Sequence, residues 1–390
     1  MSAVTLLVVD DNDDNRYTLT RRLAREGYEN VTAVVNGREA LEKLQSSPCD
    51  LVLLDVMMPD MNGYEVLESM KANPALRDIP VIMISALTEM DSVVRCIELG
   101  AEDYLPKPFN PTLLRARVGA SLEKKRLRDE VKASLARLEQ EMDAARKLQL
   151  GMLPRVFPAC TKEQPVEVHA FMEPAREVGG DLYDFFYASP HLFCFLVADV
   201  SGKGAAAAMF MARTRSLVRM AVALWQKTGD GEITPGLIAE AVNRELCQNN
   251  DDRMFVTLFL GLLDTQPGTL TYTNAGHPVP HILRASGEIE QVHASPDMPL
   301  GVRGKTTYRT GIAMLKPGDA TFVATDGVIE AMNAEGGLYT LDRLNTDLRA
   351  AVNASAVDLV RIVTDNVHAF TGSAPKADDV TALALRWRPS

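Results

Sequence analysis

The sequence predicts two folded domains joined by a long helix, the first of them an α/β domain with a parallel sheet. Short apolar runs alternate with amphipathic stretches through the N-terminal part, a pattern typical of a parallel sheet with helices on both faces. A charge-rich stretch without proline lies between Pro111 and Pro154 and predicts a helix. Further apolar runs then end in aspartate, and a chain of 390 residues has room for this second domain.

Polar residues stand where the predicted strands of the first domain end. The carboxyl ends of parallel strands share one edge of the sheet, so these residues are expected to meet there. Ordinary loop residues are the alternative, but here each residue type must fit its own strand. The runs TLLVVDD, LVLLDVMMPDMNG, VIMISA and DYLPKPF supply Asp10, Asp11, Asp55, Ser85, Tyr104 and Lys107.

The stretch after Pro111 consists largely of strong helix formers. Apolar residues at alternating four- and three-residue spacing predict a coiled-coil seam, formed by Val131, Leu135, Leu138, Met142 and Ala145. Gln149 at a further seam position is expected to help fix the register, and Gly151 with Pro154 is expected to end the helix. The alternative is a single solvated helix lying against one domain.

Apolar runs of the second domain also end in carboxylates. FCFLVAD and TFVATD place Asp199 and Asp326 at the tips of buried strands, and nearby glycines leave room for a ligand. VGGDLYDF supplies Asp181, and KADDVTALAL supplies Asp378. Hard divalent ions prefer oxygen ligands, so this set, which lacks clustered histidine or cysteine, indicates a two-metal hydrolytic site rather than a zinc site.

The N-terminal motifs resemble the receiver domain of two-component response regulators, with a flavodoxin-like fold of five parallel strands and helices on both faces over residues 1–122. The resemblance implies that Asp55 accepts a phosphoryl group from a histidine kinase or a phosphotransfer protein. It also implies an Mg²⁺ ion at Asp10, Asp11, Asp55 and the carbonyl of Met57.

The same resemblance implies a conformational switch beside the phosphorylated aspartate. Lys107 would pair with the phosphoryl oxygens, and the Lys107–Pro108 peptide bond would be cis. The Ser85 hydroxyl would move toward the new phosphoryl group while the Tyr104 ring turns inward.

The C-terminal motifs resemble the metal-dependent serine phosphatases of the PPM (protein phosphatase 2C) family, in its SpoIIE-like branch. Supporting stretches are ARKLQLGMLP, FVTLFLGLLD, LTYTNAGHPVPHIL and PLGV. The resemblance implies an α+β fold, a β-sandwich flanked by helices, over residues 154–390. Residues 123–153 would then form the helical coiled-coil linker.

This second resemblance implies two Mn²⁺ or Mg²⁺ ions. Asp199 would bridge both ions, with the Val200 carbonyl as a neighbouring ligand, and Asp181 would hold the second ion. Asp326 and Asp378 would hold the first ion.

Three residues near these ligands have roles that the sequence leaves open. Asp379 stands where relatives often carry asparagine, so which of Asp378 and Asp379 ligates metal directly is undecided. Lys203 stands where many relatives have histidine. Arg176 is a candidate for binding the substrate phosphate because guanidinium matches phosphate oxygens in pairs, with a plain surface arginine as the alternative.

Composition excludes several classes of protein. A net charge of −11 argues against nucleic-acid binding. No apolar run reaches membrane length and no signal peptide is evident, so no membrane association is expected. Five widely spaced cysteines indicate reduced thiols and a cytoplasmic location.

The two resemblances together predict a response regulator whose output domain is a protein serine/threonine phosphatase. The implied substrate is a phosphorylated STAS-domain anti-anti-sigma factor in a partner-switching pathway, and the seam implies a homodimer. The alternative is a non-catalytic adaptor that binds an anti-sigma or anti-anti-sigma partner. The intact aspartates favour the enzyme, and analogy favours activation by phosphorylation over inhibition.

Overall fold

The computed structural model describes residues 4–86, 90–228, 233–292 and 296–389. The chain divides into two compact units, residues 1–138 and 139–390. The motifs that resemble a receiver domain lie in the first unit, and the motifs that resemble a phosphatase lie in the second.

The first unit is built on a five-stranded parallel sheet with the strand order β2-β1-β3-β4-β5. Its strands are β1 (Thr5–Val9), β2 (Asn30–Val34), β3 (Leu51–Asp55), β4 (Val81–Ser85) and β5 (Asp103–Pro106). Its helices are α1 (Asp13–Arg25), α2 (Gly37–Ser46), α3 (Gly63–Ala72), α4 (Met90–Glu98) and the start of α5 (Pro111–Met152).

Both faces of this sheet are covered, which is why its strands read as continuous apolar runs. Successive side chains of a strand point to opposite faces. Leu6 and Val8 accordingly pack in one core with residues of α1 and α5, whereas Leu7 and Val9 pack in another with α2 and α3. The predicted α/β fold of this part is confirmed.

Helix α5 is 42 residues long and belongs to both units. Leu114 and Val118 near its start are buried in the core of the first unit. Val131, Leu135 and Leu138 are each more than half exposed. The helix ends at Met152, as Gly151 and Pro154 predict. Among the residues described, no helix has both the length and the apolar character needed to cross a membrane.

The second unit contains two five-stranded antiparallel sheets. One has the order β13-β10-β9-β8-β7 and the other β12-β11-β14-β15-β6. The strands are β6 (Val166–Glu173), β7 (Leu182–Ser189), β8 (Leu192–Val200), β9 (Val256–Asp264), β10 (Thr269–Ala275), β11 (His281–Leu283), β12 (Ile289–Gln291), β13 (Gly311–Met314), β14 (Ala320–Ala324) and β15 (Val380–Trp387). The helices are α6 (Ala205–Thr228), α7 (Pro235–Leu246), α8 (Asp326–Ile329), α9 (Thr340–Ala350) and α10 (Ala356–Thr371).

The two sheets pack face to face and helices cover their outer faces. One core joins Phe195 of the first sheet to Leu385 of the second and extends to Val218 of α6. A separate core packs Val363 of α10 against Phe322 on the other side of the second sheet. This order of layers is the predicted β-sandwich flanked by helices.

Candidate functional site

Three carboxylates of the first unit meet at the carboxyl edge of its parallel sheet. Asp10 follows β1 and Asp55 is the last residue of β3, because both apolar runs end there. Their oxygens and one from Asp11 lie within 4.8 Å of one another. Asp10 and Asp55 are buried, whereas Asp11 is exposed to solvent. This spacing suits one hard divalent ion.

Lys107 lies between the two buried carboxylates. Its Nζ is 2.9 Å from Asp10 Oδ2 and 3.0 Å from Asp55 Oδ2. Burial raises the pKa of Asp55 despite this lysine. Burial alone would lower the pKa of Lys107, but its hydrogen bonds to Asp10 and Asp55 raise it overall. A positive charge therefore lies beside both buried carboxylates.

The predicted switch residues also lie at this edge. Ser85 ends β4 and is buried, and the Tyr104 hydroxyl donates to the Ser85 carbonyl at 3.4 Å. The Tyr104 ring is buried at this edge, and its part in a switch stays a prediction. The Lys107–Pro108 peptide bond is cis, as predicted. Met57 follows Asp55 closely, with its side chain exposed.

The carboxylates of the second unit come from strand ends of both sheets. Asp199 lies near the end of β8 and Asp181 just before the adjacent antiparallel strand β7, so the two share one edge. In the other sheet, Asp326 follows β14 and Asp378 precedes the adjacent antiparallel strand β15. Two pairs of antiparallel strands therefore bring these residues to one end of the sandwich.

A hydrogen bond joins the two sheets within this carboxylate group. Thr325, the residue before Asp326, donates from Oγ1 to Asp181 Oδ2 at 2.9 Å. Burial and the negative charges of Asp326 and Asp378 raise the pKa of Asp199 to about 7. Burial and the Asp199 charge raise the pKa of Asp181 well above its usual value. Thr325 was not anticipated from sequence.

The charge and chemistry of this group fit divalent metal ions. The side chains offer only oxygen ligands, and their mutual repulsion would be relieved by a hard cation. No three of these C-terminal side chains, all within the described part of the chain, place their oxygens within 4.8 Å of one another. The group is therefore more widely spread than the N-terminal one.

Asp379 differs from its neighbour Asp378 because backbone amides occupy both of its carboxylate oxygens. Asp379 Oδ1 accepts from the Ala175 amide at 2.7 Å, and Oδ2 accepts from the Gly180 amide at 2.7 Å. Oδ2 also accepts from the Asp181 amide at 3.4 Å. Asp379 therefore holds the loop that leads into Asp181, whereas Asp378 remains partly exposed.

Two glycines allow this loop to approach the carboxylates. A Cβ atom on Gly179 would lie 2.3 Å from Asp379 Oδ2, and one on Gly180 would lie 2.7 Å from the Val200 carbonyl oxygen. Either contact is too short for a side chain. The carbonyl of Val200 therefore lies beside the same loop as Asp181.

The end of α5 is attached to the same loop, which corrects the expectation for Gln149. Its side-chain amide donates to the Gly179 carbonyl at 2.5 Å, and its Oε1 accepts from the Gly179 amide at 3.1 Å. Gln149 is 4% exposed, so it is a buried anchor and not a residue of an open helical seam. The sequence pattern could not reveal this because Gly179 is 30 residues away.

Two basic residues near the carboxylates have different surroundings. Lys203 Nζ is 3.2 Å from Asp378 Oδ1 and also donates to the Ala377 carbonyl. Arg176 is exposed on the loop that Asp379 holds. Its role in binding phosphate stays a prediction.

A buried carboxylate of β7, three residues after Asp181, forms ion pairs with α6. Asp184 of β7 is fully buried and accepts from Arg219 of α6 at 2.6 Å, with Arg215 Nε at 3.0 Å. Sequence reasoning missed this link between β7 and α6. The available signal was a carboxylate within the otherwise apolar run LYDFF, since a buried charge needs a partner.

Comparison with protein families agrees with the division into two parts. Residues 189–388, just over half of the chain, match the family model of stage II sporulation protein E (SpoIIE). Residues 6–119 match the model of the response regulator receiver domain.

Curated relatives align with only part of their own length. Protein IcfG of Synechocystis is 29% identical over 276 residues, which is 66% of this chain and 42% of that protein. A probable cyclic di-GMP phosphodiesterase of Vibrio cholerae is 42% identical over 129 residues, 33% of this chain and 29% of that protein. This chain therefore spans less than half of either relative.

Solved structures resemble the second unit. The SiaA-PP2C domain of Pseudomonas aeruginosa has a TM-score of 0.57 at 18% identity, covering 65% of this chain and 99% of that one. That likeness supports the fold. The RsbU and RsbW domains of a Mycobacterium tuberculosis protein have a TM-score of 0.50 at 28% identity, covering 61% and 62% of the two chains.

Proposed function

Because the chain belongs to the stage II sporulation protein E family and carries a response regulator receiver domain before that region, we propose that it is a receiver-controlled, metal-dependent phosphoprotein phosphatase. The family and its PP2C-type fold support hydrolysis of phosphoserine or phosphothreonine. The observation that carries the proposal is the convergence of carboxylates from strand ends of both sheets, with the pKa of Asp199 raised to about 7 when no cation offsets their charge.

The proposed metal ligands are assigned from the position of each carboxylate and from the hydrogen bonds that its oxygens already accept. Asp199, central to the group, would contact both ions, with the Val200 carbonyl beside it. Asp181 would serve one ion, and Asp326 and Asp378 the other. Asp379 would hold the Asp181 loop from behind, because three backbone amides already use its oxygens.

Mn²⁺ or Mg²⁺ at these residues would supply an activated water and offset the charge of the phosphoryl oxygens. The protein itself would set the geometry. Thr325 orients Asp181 through its hydroxyl. Gly179 and Gly180 let the loop before Asp181 lie close to Asp379 and to the Val200 carbonyl. Arg176 is proposed to help bind the substrate phosphate.

The test is hydrolysis of p-nitrophenyl phosphate and of a phosphoserine protein with added Mn²⁺. We expect turnover in Mn²⁺, loss of turnover to background in excess chelator, and recovery when Mn²⁺ is restored. A chelator-resistant rate would contradict the metal-dependent mechanism. Absence of any rate with either substrate would favour a non-catalytic adaptor.

The proposed substrate is a phosphorylated STAS-domain anti-anti-sigma protein, whose dephosphorylation would drive a partner-switching pathway. Support comes from the family and from the likeness to the RsbU and RsbW domains. A histidine kinase or a phosphotransfer protein would supply the phosphoryl group to Asp55, with Mg²⁺ at Asp10, Asp11, Asp55 and the Met57 carbonyl.

We further propose that α5 connects control to output as part of a homodimer. Val131, Leu135 and Leu138 expose more than half of their surface on one helix. A second copy of α5 packed in parallel would bury these side chains at the predicted four- and three-residue spacing. Because Gln149 anchors the end of α5 to Gly179, movement of the paired helices would reach the loop before Asp181.

Replacing Leu135 and Leu138 together with lysine should convert the dimer to monomer, because charge would enter an apolar seam. Light scattering measures the mass. The matched control places lysine at Ala133 and Gln140, exposed positions on the opposite side of the same helix. The control should remain dimeric. A monomer mass for the unmodified protein, both with and without a phosphoryl mimic, would rule out the proposed dimer.

A further inference from the structure

Lys203 reaches across the sandwich to a proposed metal ligand. It lies between β8 and α6, four residues after Asp199, whereas Asp378 precedes β15 of the other sheet. Its Nζ lies 3.2 Å from Asp378 Oδ1 and also donates to the Ala377 carbonyl. The ammonium group therefore neutralises one carboxylate of the acidic group.

Two glycines shape the solvent-accessible loop that carries Lys203. Gly202 and Gly204 flank it with φ values of 88° and 82°, in the left-handed region that glycine adopts readily. The side chains of Lys203 and Asp378 are 31% and 43% exposed, so ions from solvent can reach the pair. An ammonium group and a divalent ion cannot both occupy the same side of one carboxylate oxygen.

We propose that Lys203 is a built-in competitor for metal at Asp378 and thereby sets the affinity of the ion position that Asp378 serves. Lys203 holds the Asp378 carboxylate until a divalent ion displaces its ammonium group. This makes Lys203 a positioning residue that acts through Asp378. The inference rests on the proposed function, in which Asp378 is a metal ligand.

Lys376 offers a matched control within the same loop as Asp378. It lies two residues before Asp378, and its side chain is 40% exposed, close to that of Lys203. It pairs with Glu173 instead of Asp378. Removing the charge of Lys376 tests whether any nearby cation affects metal binding. Removing the charge of Lys203 tests the contact between Lys203 and Asp378.

The experiment is calorimetric titration of the full chain with Mn²⁺ alone. All proteins carry Asp11→Asn and Asp55→Asn, which remove two of the three carboxylates of the receiver site. The heat of Mn²⁺ binding then comes from the C-terminal site. Lys203→Gln is compared with Lys203→Met, Lys203→Arg, Lys376→Gln and the background protein. Thermal unfolding in chelator verifies that each variant is folded.

Lys203→Gln and Lys203→Met should lower the dissociation constant of one Mn²⁺ by about two- to fivefold, the effect expected of a partly exposed ion pair. Lys203→Arg and Lys376→Gln should match the background protein. Equal affinities for Lys203→Gln and the background, or an equal gain in Lys376→Gln, would overturn the inference while leaving the proposed function intact. A background protein that binds no Mn²⁺ would overturn both.

Discussion

Replacing Asp199 with asparagine is expected to lower turnover of a phosphoserine substrate by about a thousandfold or more. Asp199 is the proposed shared ligand of both ions, so its loss disturbs each of them. Metal ions contribute several kcal/mol of charge stabilisation in such transition states, which corresponds to that factor. Steady-state hydrolysis of the phosphoserine protein in saturating Mn²⁺ measures the effect.

The matched control is Asp264→Asn. Asp264 lies on β9 of the same sheet but pairs with Leu192 at the start of β8, whereas Asp199 pairs with Thr257 near the other end. The control should keep the unmodified rate. Unaltered turnover in Asp199→Asn would contradict the proposed site, and equal loss in both variants would indicate a general effect on the sheet.

The same substitution should not destabilise the metal-free fold. Burial and the charges of Asp326 and Asp378 raise the pKa of Asp199 to about 7, so the ionised form is disfavoured in the folded protein. Removing that charge relieves repulsion above this pH. A melting temperature in chelator at or above that of the unmodified protein would separate loss of chemistry from loss of folding.

Replacing Asp55 with alanine is expected to abolish control of the phosphatase while leaving its basal rate in place. In the unmodified protein, we expect beryllofluoride, which mimics the phosphoryl group, to raise phosphoserine turnover by about five- to 150-fold, the usual range of coupling between two sites. Asp55→Ala should show the unstimulated rate in both conditions, because it offers no carboxylate to modify.

The physical reason lies in the charge around Lys107. In the unphosphorylated structure, Lys107 contacts both Asp55 and Asp10. Phosphorylation adds about two negative charges at Asp55. Lys107 would shift toward the new oxygens, and the altered receiver surface would act on α5, whose residues Leu114 and Val118 pack in the receiver core. The signal would then travel along α5 to Gln149.

Gln149→Leu tests this route in the same assay. It keeps the size of the side chain but loses both hydrogen bonds to Gly179. We expect beryllofluoride to bind at Asp55 of this variant without raising its turnover of the phosphoserine substrate. If Asp55→Ala responds as the unmodified protein does, the receiver is not the control element. The Asp55→Ala arm also reports any direct action of beryllofluoride on the phosphatase site.

The sequence by itself was sufficient to predict the layers of both units and the strand ends that carry the carboxylates. These features depend on neighbouring residues, since apolar runs form buried strands and a polar residue ends each run at the sheet edge. The run LVLLD therefore placed Asp55 correctly at the end of β3, and FCFLVAD placed Asp199 near the end of β8. Pro154 and Gly151 likewise marked the end of α5.

Only the tertiary structure decided how those carboxylates are used, because their partners are distant in the chain. Asp379 is separated from the Ala175 amide by 204 residues, and Thr325 from Asp181 by 144. Lys203 and Asp378 lie in loops next to strands of different sheets, and Gln149 binds Gly179 instead of contributing to the predicted seam. A sequence pattern reports local periodicity, whereas hydrogen bonds and ion pairs of this kind form only after the sheets have packed together.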